Sequence, residues 1–215
     1  MRLRAIAPLV LDSTELARRQ AHYASLAPSP IKVEMANLSY GPRTLESYED
    51  IRWSENEVYN EAIRTSWSDF DGILLDCVLD PALERLEREV PVSVIGITRA
   101  TSSYLAGLGH RFAAVARNRA IAEELRVRIV DFGYEEQLAS VEVLDLSFED
   151  IAQSEKWFSA LAPIIGRPDF GAIDSVLNGC SAVEVHGVDG FSVVEPIAVA
   201  LELTSIAARR GLFAT

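Results

Sequence analysis

Only two cysteines, three histidines and three tryptophans stand among the 215 residues. Two cysteines cannot build a disulfide scaffold. Three scattered histidines offer no zinc-ligand spacing, so no metal is expected. Basic residues are also few, with 20 Lys and Arg against 32 Asp and Glu and a net charge of −12. Without a dense Lys/Arg stripe there is no surface to follow a phosphate backbone, and nucleic acid is not an expected partner. No run approaches the roughly 20 apolar residues of a bilayer span, so no membrane association is expected. Met1 to Leu11 is short for a signal peptide, is split by Pro8 and lacks a small-residue cleavage site; it is expected to be a buried strand of a cytoplasmic protein. Gly107-Leu108-Gly109 lacks the third glycine and preceding strand of a dinucleotide fingerprint. A Gly-x-Ser-x-Gly elbow is missing too, which argues against a serine hydrolase of that type.

What is present is a globular composition, 49% hydrophobic and 24% charged. Apolar runs of strand length alternate with amphipathic stretches of helix length. Strands are expected at Leu3 to Leu9, Ile31 to Asn37, Gly72 to Leu75, Val92 to Ile95, Phe112 to Ala116, Val141 to Leu144, Ile173 to Leu177 and Phe191 to Val194. Helices are expected at Ser13 to Ser25, Asn56 to Ser66, Ala82 to Glu89, Ala100 to Ala106, Ala120 to Arg126, Ser147 to Ala162 and Pro196 to Arg210. Asp12 and Asp80 suit helix caps, and Pro81 suits a first helical position. The alternation implies an α/β fold with mainly parallel sheets, whose ligands gather at the carboxyl ends of the strands. Asn37 to Ser54, polar and containing Gly41-Pro42, reads as a functional loop.

One internal repeat links the two cysteines. Asp71-Gly72-Ile73-Leu74-Leu75-Asp76-Cys77 lies over Asp174-Ser175-Val176-Leu177-Asn178-Gly179-Cys180, 103 positions on. Each copy is an apolar strand that ends in a cysteine. Two buried small hydrophobes are the plain alternative. A pseudo-twofold relation between halves would instead set the two thiols opposite each other, an arrangement suited to moving a proton from one face of a carbon to the other. The working form is the thiolate, whose pKa of about 8.5 falls at a helix N-terminus. A cysteine at a strand-to-turn junction is expected to find such N–H groups.

Around these residues the sequence resembles the aspartate/glutamate/hydantoin racemase superfamily, and especially its hydantoin and allantoin racemase branch. Cys77-Val78-Leu79-Asp80-Pro81 looks like that branch's Cys-x-x-Asp-Pro, and Gly179-Cys180-Ser181-Ala182 is similar to its Gly-Cys-Ala-Gly. Between them, Pro91-Val92 with Val94-Ile95-Gly96-Ile97 matches its next strand, and Leu108-Gly109-His110-Arg111-Phe112 resembles its Gly-His-Arg-Phe run. Val194-Glu195-Pro196 is similar to the Asp-Pro that opens its last helix. The resemblance implies two pseudo-symmetric α/β lobes: residues 1–96, completed by the helix at 196–215, and residues 97–195. It places the active site in the cleft between them. It also implies a cofactor-independent racemase or epimerase with Cys77 and Cys180 as the acid/base pair, acting on a small molecule such as a 5-substituted hydantoin, and a homo-oligomer. Backbone N–H groups around Val78 and Ser181 would then stabilise an enolate-like oxygen.

The sequence departs from the branch at two places. Ala7-Pro8-Leu9 stands where Asn-Pro-Asn is usual, and Ala116-Arg117 where a Thr-Thr pair is usual. Leu9 fits a bulkier substrate or simple core packing. Arg117 fits a bidentate grip on a carboxylate or a surface position at a strand end. With Tyr40 as a wall of the site, the candidate substrate-binding residues are Leu9, Tyr40, Val78, Arg117, Ser181 and Ala182. His110, ahead of a strand at the far end from the site, is expected to be structural; His186 is expected on the surface, and His22 is assigned no role. The three tryptophans are expected in the core or an interface. The departures keep open a divergent isomerase or decarboxylase of the same superfamily in a biosynthetic pathway. A decarboxylase of this fold would need only one cysteine. A non-catalytic binding protein on the same scaffold is the third alternative, and would show ordinary thiol pKa values.

Overall fold

In the computed structural model, which describes residues 1–185 and 191–213, each apolar run settles into a parallel sheet. The first unit comprises Met1–Ile97 and Ile197–Thr215. It holds β1 (Arg2–Ile6), α1 (Ser13–Leu26), β2 (Lys32–Ala36), α2 (Tyr48–Arg64), β3 (Gly72–Leu75), α3 (Leu83–Glu89) and β4 (Ser93–Gly96). Its four strands run parallel in the order β2-β1-β3-β4. All four residues of β3 are buried, as the uninterrupted Gly-Ile-Leu-Leu run requires of a strand covered on both faces. Asp12 caps α1 as expected, accepting from the N–H groups of Thr14 and Glu15.

The second unit, Thr98–Pro196, contains all but the first residue of α4 (Ile97–Gly107), then β5 (Phe112–Ala116), α5 (Arg119–Asp131), β6 (Leu138–Val143), α6 (Ser154–Ile165), β7 (Ser175–Asn178) and β8 (Val193–Val194). Its sheet is also parallel, in the order β6-β5-β7-β8. α7 (Pro196–Arg209) follows, and all of it after Pro196 belongs to the first unit. Trp157, Leu161, Phe170, Val176 and Val183 form the centre of the second unit's core.

Counted from the start of each unit, the strand orders are the same, and the repeat seen in sequence recurs in the hydrogen bonds. Asp71 donates its N–H to Arg2 O at 2.8 Å and accepts the N–H of Arg2 on Oδ2 at 2.6 Å. Asp174 does the same with Arg111, at 2.8 Å both ways. Past the strand, Asp76 N–H reaches Ile6 O at 3.0 Å, and Gly179 N–H reaches Val115 O at 2.8 Å. Asp80 N–H then closes on Cys77 O at 3.0 Å, and Val183 N–H on Cys180 O at 3.2 Å. The aspartate that opens each copy ties the third strand to the first.

Five expectations are corrected. The loop expected to reach Ser54 gives way at Tyr48 to α2, because Ser47 and Asp50 form a reciprocal capping box and Ile51, Ser54, Val58 and Ala62 bury one helical face. Asp80 does not cap α3: both Asp80 (φ 44°) and Ala82 (φ 57°) are left-handed, the helix starts at Leu83, and no side chain caps it. The helix expected from Ser147 is a 3₁₀ turn at Asp150–Ala152 followed by α6 from Ser154. β6 begins three residues before the expected Val141, and β7 two after the expected Ile173.

Candidate active site

Cys77 stands two residues beyond the carboxyl end of β3 and Cys180 two beyond that of β7. Each therefore sits at the edge where ligands of parallel sheets bind. The two surroundings differ.

Cys77 is 5% exposed. Burial, the largest influence, pushes its thiol up to about 12; the carboxylates of Asp76 and Asp80 add to this, against the N–H of Leu79 and the guanidinium of Arg19. This corrects the expectation of a lowered pKa: no helix begins directly after Cys77, since α3 starts only at Leu83. The turn that follows is held by Glu55 of α2, which accepts the N–H of Ala82 at 3.1 Å. Asp80 is fully buried, and a Cβ on Gly96 would lie 2.5 Å from its Oδ2; only glycine leaves room for that carboxylate at the start of α4.

Asp76 is fully buried as well. Arg19 Nη1 donates to its Oδ2 at 2.8 Å and Tyr23 Oη to its Oδ1 at 3.0 Å, while Arg19 Nε donates to Glu15 at 2.9 Å. Burial disfavours the Arg19 cation, but Asp76 and Glu15 outweigh it and raise its pKa above the usual arginine value. A charged cluster thus lies beneath the cysteine.

The loop after β1 carries the Ala7-Pro8-Leu9 departure. Leu9 is 4% exposed, Pro8 O accepts the Ser54 hydroxyl at 2.5 Å, and Val10 N–H reaches Pro42 O at 2.9 Å. Asn37 clamps Leu11 by both its N–H (2.8 Å) and its C=O (2.7 Å). Val78 is buried at 4%. Tyr40 is 66% exposed, its ring edge-on to Trp53 at 5.2 Å.

In the second unit Gly179 is fixed by space: a Cβ there would meet Val115 O at 2.0 Å. Asn178, fully buried, donates through Nδ2 to Cys180 O (3.0 Å) and Val183 O (3.2 Å) and accepts the N–H of Cys180 on Oδ1 (3.2 Å). This one amide shapes the whole cysteine turn. Cys180 is half-buried against the core that contains Trp157, and Ser181 and Ala182 are buried beside it. Arg117 is 3% exposed, which corrects the surface reading; its Nη1 lies 3.5 Å from Leu146 O and its guanidinium 5.9 Å from the Phe148 ring centre. His110 bonds Ser175 Oγ at 2.8 Å across the starts of β5 and β7, the opposite edge from Cys180. His186 lies outside the described residues. Of the three tryptophans, Trp157 is fully buried and Trp67 half-buried, while Trp53 is 37% exposed. Among the described residues no three His, Cys, Asp or Glu side chains are grouped to hold a metal ion, and no helix is long and apolar enough to cross a membrane.

A family model described as Asp/Glu/Hydantoin racemase matches residues 11–203. The chain belongs to that family. It is thus an isomerase of the racemase class, and its fold is shared with solved relatives. An allantoin racemase from Pseudomonas fluorescens superposes with a TM-score of 0.86 at 17% identity, over 100% of this chain and 94% of that one. An allantoin racemase from Klebsiella pneumoniae gives 0.79 at 16% identity, over 100% and 90%. A maleate isomerase from Pseudomonas putida S16 gives 0.64 at 15%, over 99% and 92%. No curated protein sequence matches the chain.

The polar cluster around Asp76 was not expected from the sequence. Glu15, Arg19 and Tyr23 fall four apart on α1, a spacing that puts them on one helical face, and Asp76 directly precedes Cys77. Those two signals together would have pointed to the cluster.

Proposed function

We propose that this racemase exchanges the α-proton of a carbon acid without a cofactor, using Cys77 and Cys180 as its acid/base pair, and that its substrates are 5-substituted hydantoins or related compounds. The observation that carries the proposal is the equivalence of the two cysteines, each two residues past the third strand of matching sheets. A thiolate removes the proton from a carbon next to a carbonyl, the electron pair passes to the carbonyl oxygen as an enolate, and the other thiol returns a proton to the opposite face. After each turnover the protonation states of the two sulfurs are exchanged. Backbone N–H groups of the cysteine turns, around Val78 and Ser181, stabilise the enolate oxygen. Leu9, Tyr40, Arg117 and Ala182 complete the proposed substrate contacts.

The raised pKa of Cys77 suits this scheme, since one sulfur must begin as a thiol. Single-enantiomer 5-substituted hydantoins in D₂O, followed by optical rotation and mass, test the reading. Decay of rotation with uptake of one deuterium is expected. No decay and no exchange across aromatic, aliphatic and carboxylated side chains would remove hydantoins as the substrate class.

A further inference from the structure

At the repeat position where the second unit has Gly179, the first has Asp76, and where the second has Val183, the first has Asp80. The two cysteine turns are therefore equivalent in backbone, and at these two positions the first carries carboxylates where the second carries none. Cys180 follows a glycine whose Cβ position is filled by a carbonyl oxygen, and its turn is tied by a neutral amide. Cys77 follows a fully buried carboxylate that is fixed from α1 by Arg19 at 2.8 Å and Tyr23 at 3.0 Å, with Glu15 holding Arg19 from behind.

From this asymmetry we propose that Asp76, held as an anion by Arg19 and Tyr23 and next in sequence to Cys77, is the positioning residue that assigns Cys77 the proton-donor role of the cysteine pair. The proposal rests on the two-cysteine reading and adds to it which sulfur begins as the thiol. The charged groups around Cys77 are Asp76 and Asp80 from its own turn and Arg19 from α1; Glu55 of α2 joins the same turn through Ala82 N–H, and Tyr23 is the neutral donor on Asp76. The carboxylate of Asp76 acts on Cys77 more strongly than the guanidinium of Arg19 opposes it. A buried thiol beside a net negative charge keeps its proton. The substrate face presented to Cys77 then receives a proton in the first turnover, and the face presented to Cys180 loses one.

The test needs no substrate. In a Cys180→Ser background, the rate of alkylation of Cys77 by iodoacetamide is followed by peptide mass spectrometry at fixed pH values from about 7 to about 10, with circular dichroism to verify the fold. Asp76→Asn is expected to make Cys77 react about tenfold faster at each pH, the thiolate gain of about one pH unit. Tyr23→Phe, which disturbs the same packing and keeps the charge, is expected to leave the rate in place. Asp76→Asn with Arg19→Gln leaves no unpaired buried charge and is expected to raise the rate in the same direction as Asp76→Asn. An unchanged rate in both Asp76 variants, or equal increases in Asp76→Asn and Tyr23→Phe, would overturn the proposal. A raised rate together with no hydantoin exchange would retain the role of Asp76 and remove only the substrate class.

Discussion

Replacing Arg19 with Met takes the cation out of a pair whose carboxylate is fully buried and whose guanidinium is 4% exposed. Removing one partner of a buried ion pair costs about 3–5 kcal/mol, because the remaining charge is stranded. Here Tyr23 still donates to Asp76 at 3.0 Å, which sets the expected loss at the lower end, about 3 kcal/mol. In a chain of this size, where about 1 kcal/mol moves Tm by about 2–4 °C, that is a fall of about 6–12 °C. Asp76→Asn is expected to cost less, about 2 kcal/mol, since Glu15 at 2.9 Å continues to pair with Arg19. The double variant strands no charge, so it should be more stable than Arg19→Met alone, with a coupling energy of about 3 kcal/mol. Urea denaturation of the four proteins, followed by circular dichroism, measures the cycle. Simple additivity would refute the claim that Arg19 and Asp76 act as one buried unit.

Gly179→Ala is expected to destabilise by about 3 kcal/mol, since its Cβ would sit 2.0 Å from Val115 O and only a backbone shift can relieve that; thermal melts check it. Asn178→Ala removes three hydrogen bonds around Cys180 and should cost about 1–3 kcal/mol, with faster amide exchange at Cys180 and Val183. The thiol of Cys77, held at about 12 in the fold against an ordinary 9.0, gives the protein an alkaline limit. Its contribution is complete below pH 9 and lost between 9 and 12, where the folded state retains a proton that the unfolded chain releases. Stability should therefore fall by about 1.4 kcal/mol per pH unit over that window. Cys77→Ala should lack this slope, and parallel pH curves for the two proteins would contradict it.

Much of the fold was legible because parallel strands buried on both faces leave unbroken apolar runs. Gly72–Leu75 and Phe112–Ala116 are strands at the expected bounds, and Asp12 caps α1. The cysteine repeat was legible for the same reason, since the aspartate ahead of each copy makes the same pair of backbone bonds. Less visible was anything decided by three-dimensional neighbours. The opening turn of α2 is polar on its outer face and hid its buried Ile51 and Ser54 among acidic residues. Asp80-Pro81 looks like a helix start, yet the space left by Gly96 draws the aspartate inward instead. Arg117 gave no sign in sequence of its burial. The two halves of the Arg19–Asp76 pair each left a local signal, but the 57 residues between them hid that they meet.

The most direct test of the central claim compares wild type with Cys77→Ser and Cys180→Ser on a single-enantiomer hydantoin that the wild type turns over, in D₂O. Racemisation with uptake of one deuterium is expected of the wild type, and its loss in both folded variants. Full turnover by either serine variant would contradict the two-cysteine mechanism.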